Sequence, residues 1–362
     1  MSRTLLGLAL VALAACTDGD SETGSEVDTD TTSGTEVDVG TDTDADTDVD
    51  SDTDADGRAV DLTNLFLSLR SANCGDYVDS YEAFPLDVQR AMAFEAQLTI
   101  TMDGGECHFA SNSLPNHDFN EPPANFANAV AAVAKTFSVT TTPAAALMPT
   151  ALTLRYDNAV FLNGVKLDLL AAACYGVGPG QPENLGNERI GCGDTTSPWR
   201  YDPMFSGNGF GTDDHNAHTQ PDGTYHYHGS PNALFEQSDP TVPSPVVAFA
   251  ADGFPIFGPY IDDGGTIREV ASGYRLLQDG NGDPAARVSQ DGEGAFPGGI
   301  ADGTFRDDWE WTDAGDLDVC NGMTVDGVYG YYITNSYPWV LGCFQGVPNE
   351  SFDKRAGGPP GR

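Results

Sequence analysis

The chain has 362 residues, with 16 Lys and Arg against 55 Asp and Glu and a formal net charge of −39. Acidity this strong argues against nucleic acid and anionic membrane surfaces as electrostatic partners, and it is compatible with cations. The 42 Gly and 23 Pro point to many turns between short elements rather than to long helices.

The N-terminus carries a targeting pattern. Arg3 gives a short positive start, and Leu5 to Leu13 form an apolar run too short to span a bilayer. Small residues then lead into a cysteine in Leu13-Ala14-Ala15-Cys16. This order resembles the lipobox of bacterial lipoproteins. It predicts a signal peptide over 1–15 and Cys16 as the lipid-anchored first residue of the mature chain. Thr17, not Asp, follows the cysteine, which favours the outer membrane. The expected location is therefore the cell envelope, with the body periplasmic or surface-exposed and lipid its only membrane contact.

Residues 17–57 hold 16 acids, no base, no aromatic residue and no Leu, Ile or Met. Such a segment cannot bury enough apolar surface to offset its ordering entropy, and its charges repel. It reads as an extended acidic tether, so 16–57 is expected to be lipidated Cys16 plus a stalk. The remaining 305 residues keep 39 acids (55 minus 16) against 15 bases (16 minus Arg3), or −24. No second linker interrupts 58–362, which is read as a single domain.

Six cysteines follow Cys16: Cys74, Cys107, Cys174, Cys192, Cys320 and Cys343. No C-x-x-C pair occurs among them, and an even number in an exported chain points to disulfides. Six cysteines allow 15 pairings. The sequence-local scheme Cys74–Cys107, Cys174–Cys192 and Cys320–Cys343 is expected because short loops close most easily.

Patterning along 58–362 is mostly that of strands. Phe94 to Asp103 alternates around Leu98, Ile100 and Met102, and Thr136 to Thr142 is β-branched. Ala151 to Tyr156 reads as a strand. Val160 to Leu162 and Val165 to Leu167 flank Asn163-Gly164, the tight-hairpin signal. Val246 to Ala250 and Tyr329 to Thr334 are short apolar runs bounded by Gly and Pro. A helix is expected only around Phe126 to Lys135, with another ending near Ala171 to Ala173. The expected fold class is mainly β, with antiparallel, sandwich-like sheets, long loops and disulfide stabilisation.

Histidine placement carries the chemistry. The chain has six His, and four fall within fourteen residues: His215, His218, His226 and His228. Residues two apart in a strand share a face, so Tyr225-His226-Tyr227-His228 would put two imidazoles on one side and two phenols on the other. Pro221-Asp222-Gly223 is a turn signal that would fold His218 back onto the pair. Two readings of the cluster stand: neutral ring nitrogens holding one metal ion, or hydrogen-bonding His and Tyr with a structural duty.

The stretch Asn216 to Gly229 resembles the defining motif of the YHYH-domain proteins. Ala250-Ala251-Asp252-Gly253-Phe254-Pro255-Ile256-Phe257-Gly258-Pro259 is similar to the family's second signature. Ser111-Asn112-Ser113-Leu114-Pro115-Asn116-His117 is similar to its N-terminal element, with Ser113 where the family has Gly. Leu317 to Gly322 and Tyr337 to Phe344 resemble its C-terminal part, so the resemblance covers about 90–347. It implies no assigned reaction. It does place His117, His218, His226 and His228 on motif positions, and it leaves His215 and His108 as bystanders. These four His are the expected metal ligands. Asp252, an acid between an apolar run and a Gly-Phe-Pro turn, is expected to be a ligand, an acid orienting a ligand imidazole, or a turn cap.

Asp279-Gly280-Asn281-Gly282-Asp283 has calcium-loop spacing, but Pro284 stands where the loop needs Gly, so it reads as a solvated turn. The aromatic residues from Trp309 to Trp339 read as core. No nucleophile elbow, phosphate loop or dinucleotide fingerprint is present. Three functions remain: an envelope protein binding copper or zinc, a metalloenzyme using the same cluster with an open coordination position, and an adhesion or ligand-binding module without metal.

Overall fold

The computed structural model describes residues 58–176, 198–238, 240–290 and 295–355, all within one compact unit, Val49–Arg362. The expected signal peptide, Cys16 and the expected tether lie outside the described residues.

Two sheets carry the fold. The first has five strands, in the order Val60–Asp61, Asp79–Ala83, Ala96–Asp103, Glu106–Ser111 and Lys135–Thr140. The second has eight, in the order Ala217–Thr219, Tyr225–Tyr227, Lys166–Leu167, Ala159–Phe161, Val246–Ala250, Pro255–Phe257, Val328–Tyr332 and Gly322–Val325. Most pairings are antiparallel. Tyr225–Tyr227 runs parallel to Lys166–Leu167, and Pro255–Phe257 runs parallel to Val328–Tyr332.

The alternation in Ala96–Asp103 explains why the sheets stack. Leu98 and Ile100 are buried while Gln97, Thr99 and Thr101 are exposed, so one face of the strand is apolar. That face meets the second sheet. Phe109 packs on Phe249 with ring centroids 6.2 Å apart, and Tyr77 meets Phe249 edge-on at 5.6 Å. Ser111 Oγ donates to the Gly164 carbonyl at 2.7 Å. Gly164 sits at φ +84° in the Asn163-Gly164 turn, and a Cβ there would lie 2.7 Å from the Ser111 Cβ. Both turn geometry and sheet contact therefore exclude a side chain at this position. Phe249 is fully buried between the sheets, and Phe249→Ala is expected to cost about 3–5 kcal/mol.

The expectation of a mainly β, sandwich-like fold is met. The helix expected over Phe126 to Lys135 is not formed. Its N–H groups are used elsewhere: Ala131 donates to Gly223 and Val133 to Asn112, which leaves no i→i−4 ladder. Ala171 to Ala173 likewise ends no helix, and Ala151 to Tyr156 yields only the two-residue strand Thr150–Ala151.

Two of the expected disulfides are present: Cys74–Cys107, with Cα atoms 6.1 Å apart, and Cys320–Cys343, with Cα atoms 4.6 Å apart. Cys174 is buried and disulfide-bonded. Its expected partner, Cys192, lies outside the described residues. Asp279 accepts hydrogen bonds from its own loop, from Asn281 N and Asp283 N, which is turn chemistry as expected.

Candidate metal centre

The site is built on the edge hairpin of the eight-stranded sheet. Gly223 N donates to the Gln220 carbonyl at 2.9 Å, and Thr224 N donates to Asp222 Oδ1 at 3.0 Å. This closes the Pro221-Asp222-Gly223 turn, with Gly223 at φ +87°. The register then sets His218 directly opposite His226. Because Tyr225 and Tyr227 alternate with His226 and His228, both imidazoles emerge on the same face as His218.

The three rings form a near-equilateral triangle with centroid separations of 4.7, 4.8 and 4.7 Å. Each offers one nitrogen, and these donor atoms lie within 4.8 Å of one another. Nε2 of His218 and Nε2 of His228 are 3.0 Å apart. Zinc–nitrogen bonds of about 2.0–2.1 Å in a tetrahedral shell set donor separations of about 3.3 Å, close to that spacing. Nδ1 of His218 donates to the Phe210 carbonyl at 2.8 Å, which fixes the ring and turns Nε2 toward the triangle.

The rings are poised to be neutral. Burial, reinforced by the neighbouring imidazoles, drives His226 well below the ordinary histidine range. Burial likewise pushes His228 down to about 3 and lowers His218. Neutral imidazoles with converging lone pairs are what a metal ion requires, so the donor set fits one. Together the three can hold a metal ion.

Around the triad lies a charge network that the sequence reading did not single out. The parallel pairing aligns Lys166 with His226 and Leu167 with Tyr227, so Lys166 and Asp168 share the His face. Lys166 Nζ meets Asp157 Oδ1 at 2.6 Å, and Lys354 Nζ meets Asp168 Oδ2 at 2.6 Å. Burial raises Asp168, but Lys354 and Lys166 outweigh it and hold the carboxyl below its usual value, so it stays ionised. Gln220 also donates to Asp168 Oδ2, at 3.0 Å. Val165-Lys166-Leu167-Asp168 does alternate in sequence, and that alternation is the signal that could have found Asp168. A cavity of about 610 Å³ opens in front of the triad, lined by Asp168, Lys354 and Gln220 on its polar side and by Leu154, Leu170 and Phe210 on its apolar side.

His117 does not join the triad. It stands on the Tyr face, and both its ring nitrogens are committed. Nδ1 donates to the Asp118 carbonyl at 2.6 Å, and Nε2 accepts from Tyr227 Oη at 2.6 Å. The phenol of Tyr227 turns it away from the metal position, because alternate residues of a strand point to opposite faces. The expected four-His set is therefore a three-His set.

Asp252 is not brought to the site either. It occupies the turn after Val246–Ala250, a strand three steps of about 4.8 Å, or about 14 Å, across the sheet from Tyr225–Tyr227. Its Oδ2 accepts from Tyr331 Oη at 2.6 Å and from Gly346 N at 2.9 Å, which ties the hairpin to the C-terminal segment. His215 lies outside the triad as expected, its ring against His117 with centroids 3.8 Å apart. His108 sits in the five-stranded sheet and contacts Ser138 Oγ at 2.9 Å.

No curated protein and no solved structure matches the chain. A family model described as YHYH protein matches residues 136–346. That span takes in the His218–His228 hairpin, the Lys166–Asp168 segment and the Asp252 turn, and it begins after the Ser111–His117 element. It covers more than half of the chain, which therefore belongs to the YHYH protein family.

Proposed function

We propose that this protein is an exported, lipid-anchored member of the YHYH family that binds a single zinc or copper ion through His218, His226 and His228. The observation that carries this reading is the triangle of neutral imidazoles, with two Nε2 atoms 3.0 Å apart. Without an ion the two Nε2 atoms share one hydrogen at that distance, and a cation can take its place between them once the His228 hydrogen moves to Nδ1. The donor set holds nitrogen alone, which suits Zn(II) and Cu(II) and not calcium or magnesium. Export and anchoring at Cys16 rest on the lipobox-like N-terminus, and the two disulfides are in keeping with an oxidising compartment.

The reading is tested by metal analysis of protein produced with its disulfides formed. It expects about one equivalent of zinc or copper, with His228→Ala stripping it and His117→Ala retaining it. Protein that takes up neither ion, or a His228→Ala variant that keeps full occupancy, would remove it.

A second reading is favoured by the 610 Å³ cavity. Three protein ligands leave a coordination position open to an exogenous molecule, the arrangement of catalytic rather than structural zinc. Exchange of solvent at the bound metal, measured by water-proton relaxation on the copper form, separates the readings. A site closed to solvent belongs to storage or structure, and a rapidly exchanging one to chemistry on a bound ligand.

A further inference from the structure

The bridge that pairs Tyr201 with Phe305 sets two cations opposite each other. It is antiparallel, and it is flanked by Asp202 N donating to the Thr304 carbonyl at 3.0 Å and Arg306 N donating to the Arg200 carbonyl at 2.9 Å. Residues opposite each other in such a pair share a side, and the side alternates along the chain. Tyr201 and Phe305 pack on each other with ring centroids 4.8 Å apart, inside a small apolar cluster. Arg200 and Arg306 take the other side. There both line a cavity of about 410 Å³, together with Asp307, Trp309, Tyr337 and Leu152.

Like charges directly opposite each other destabilise a strand pair. The folded part holds 39 acids against 15 bases, so an arginine has many carboxylates within reach of the chain. Arg90, Arg155, Arg268, Arg275, Arg287 and Arg355 each pair with one. Arg306 pairs with none among the described residues. Its guanidinium lies over the Tyr337 ring, 5.1 Å from the centroid, and Trp309 stacks on the same ring at 5.3 Å. The aromatic contact holds the cation half-buried and leaves its N–H groups unspent. Arg70, which also lacks an ion pair, differs in donating to the Ser244 carbonyl. Arg200 gives one donor to the Ala171 carbonyl. Asp307, the acid lining the cavity, is committed elsewhere: Oδ2 accepts from Trp199 N at 2.9 Å, and Oδ1 accepts from Gln290 Nε2 at 3.1 Å. Two bases against one acid leave the described lining with one positive charge (2 − 1).

We propose that this cavity is a binding site for a small organic monocarboxylate held by the Arg306 guanidinium, separate from the His triad. A planar guanidinium fork matches a carboxylate through two parallel N–H···O bonds, and the Tyr337 ring fixes the fork in advance. One net positive charge balances a monoanion, whereas Asp307 opposes a dianion such as phosphate. Leu152 and Leu170 offer apolar surface to the body of the ligand, and the volume falls in the usual range for small-molecule sites, about 300–1,000 Å³. Leu170 also borders the cavity in front of the triad, but the two cavities share no charged residue.

The test titrates benzoate into the metal-free full chain by calorimetry, so that no metal competes for the carboxylate. Saturable binding that weakens with added salt is expected. Arg306→Gln should lower benzoate affinity about tenfold or more, because a charge-assisted pair of hydrogen bonds is lost. Arg306→Lys should fall between the two, since it keeps the charge and loses the fork. Thermal melting of Arg306→Gln without benzoate should stay within a few degrees of the unaltered protein, because the lost ring contact is offset by relief of the facing charges. Ala151 lines the cavity and is exposed, so Ala151→Trp narrows it without removing a charge, and it too should weaken benzoate. If Arg306→Gln melts far lower, Ala151→Trp decides alone. Absence of saturable benzoate binding overturns the proposal. Benzoate affinity unchanged in Ala151→Trp, or in a folded Arg306→Gln, overturns the site. Inorganic phosphate binding more tightly than benzoate overturns the monocarboxylate class.

Discussion

The strand Tyr225–Tyr227 and the residue after it present two faces of opposite character. On the Tyr face every phenol is spoken for. Tyr225 Oη donates to Asp213 Oδ2 at 2.8 Å, and Tyr227 Oη donates to His117 while accepting from Asn163 Nδ2 at 2.9 Å. Both phenols are fully buried, and Phe119 and Phe161 pack on them. On the His face three imidazoles crowd together, Nδ1 of His228 has no partner, and a cavity opens beside them. A satisfied polar network stiffens a core, whereas a convergent set with unpaired atoms is open to a ligand. The difference locates stability on one side of a three-residue strand and the proposed binding on the other.

Removing a ligand from the His face should break the comparison hardest. His228→Ala is expected to lower zinc or copper affinity by at least 100-fold while the metal-free protein keeps its melting temperature within a few degrees. Metal titration and thermal melting measured together decide it. A large loss of stability with metal affinity intact would reverse the roles assigned to the two faces.

The pH response of the Tyr face comes next. Burial, reinforced by the adjacent His215, pushes His117 down to about 3, against about 6.5 in an unfolded chain. The folded state therefore resists a proton that the unfolded state accepts. The stabilisation is complete above about pH 6.5 and is lost as pH falls toward 3, at a limiting slope of about 1.4 kcal/mol per pH unit. Urea unfolding of the metal-free protein at pH 6 and pH 4 reads this contribution together with those of His226 and His228, which burial also lowers, and His117→Gln should reduce the total slope by one proton. An unchanged slope in the variant would show that His117 is not the group responsible.

Tyr227→Phe sharpens the same contrast at lower amplitude. It removes one hydroxyl and leaves Nε2 of His117 and Nδ2 of Asn163 short of a partner, for a loss of about 2 kcal/mol in stability. Metal affinity should stay within twofold. A variant that unfolds no more easily but loses metal would mean that the Tyr face acts on the site directly.

How much of this was legible in sequence follows from which interactions are local. The face alternation of Tyr225 to His228, the hairpin that returns His218 and the disulfides Cys74–Cys107 and Cys320–Cys343 all follow from short-range periodicity or short loops. The metal-ligand reading of His117 and the metal-site readings of Asp252 fail for one reason, while the turn reading of Asp252 stands. A family motif fixes a residue type at a position, not the direction of its side chain, and both residues serve buried tyrosines, Tyr227 and Tyr331. Asp168 was overlooked because its role needs the parallel pairing of Lys166–Leu167 with Tyr225–Tyr227, across more than fifty residues. The helix expected over Phe126 to Lys135 failed for a related cause. Its Ala-rich sequence permits a helix, but its N–H groups reach Gly223 and Asn112.

His215 offers the finest test of the boundary between the faces. It lies only three residues before His218, yet it serves the Tyr side. Nδ1 donates to the Pro231 carbonyl at 2.6 Å, Nε2 lies 3.6 Å from Glu121 Oε1, and the ring covers His117. It is partly exposed, so losing one hydrogen bond and one ring contact should cost only about 1 kcal/mol. His215→Ala also relieves the electrostatic pressure on His117 and opens it to water, so the His117 pKa should rise. Proton NMR titration of His117 and metal affinity, read on the same variant, give the answer. An upward shift with metal affinity within twofold keeps His215 on the Tyr side. A metal affinity that falls tenfold would move the boundary, because the triad would then depend on a ring that offers it no nitrogen.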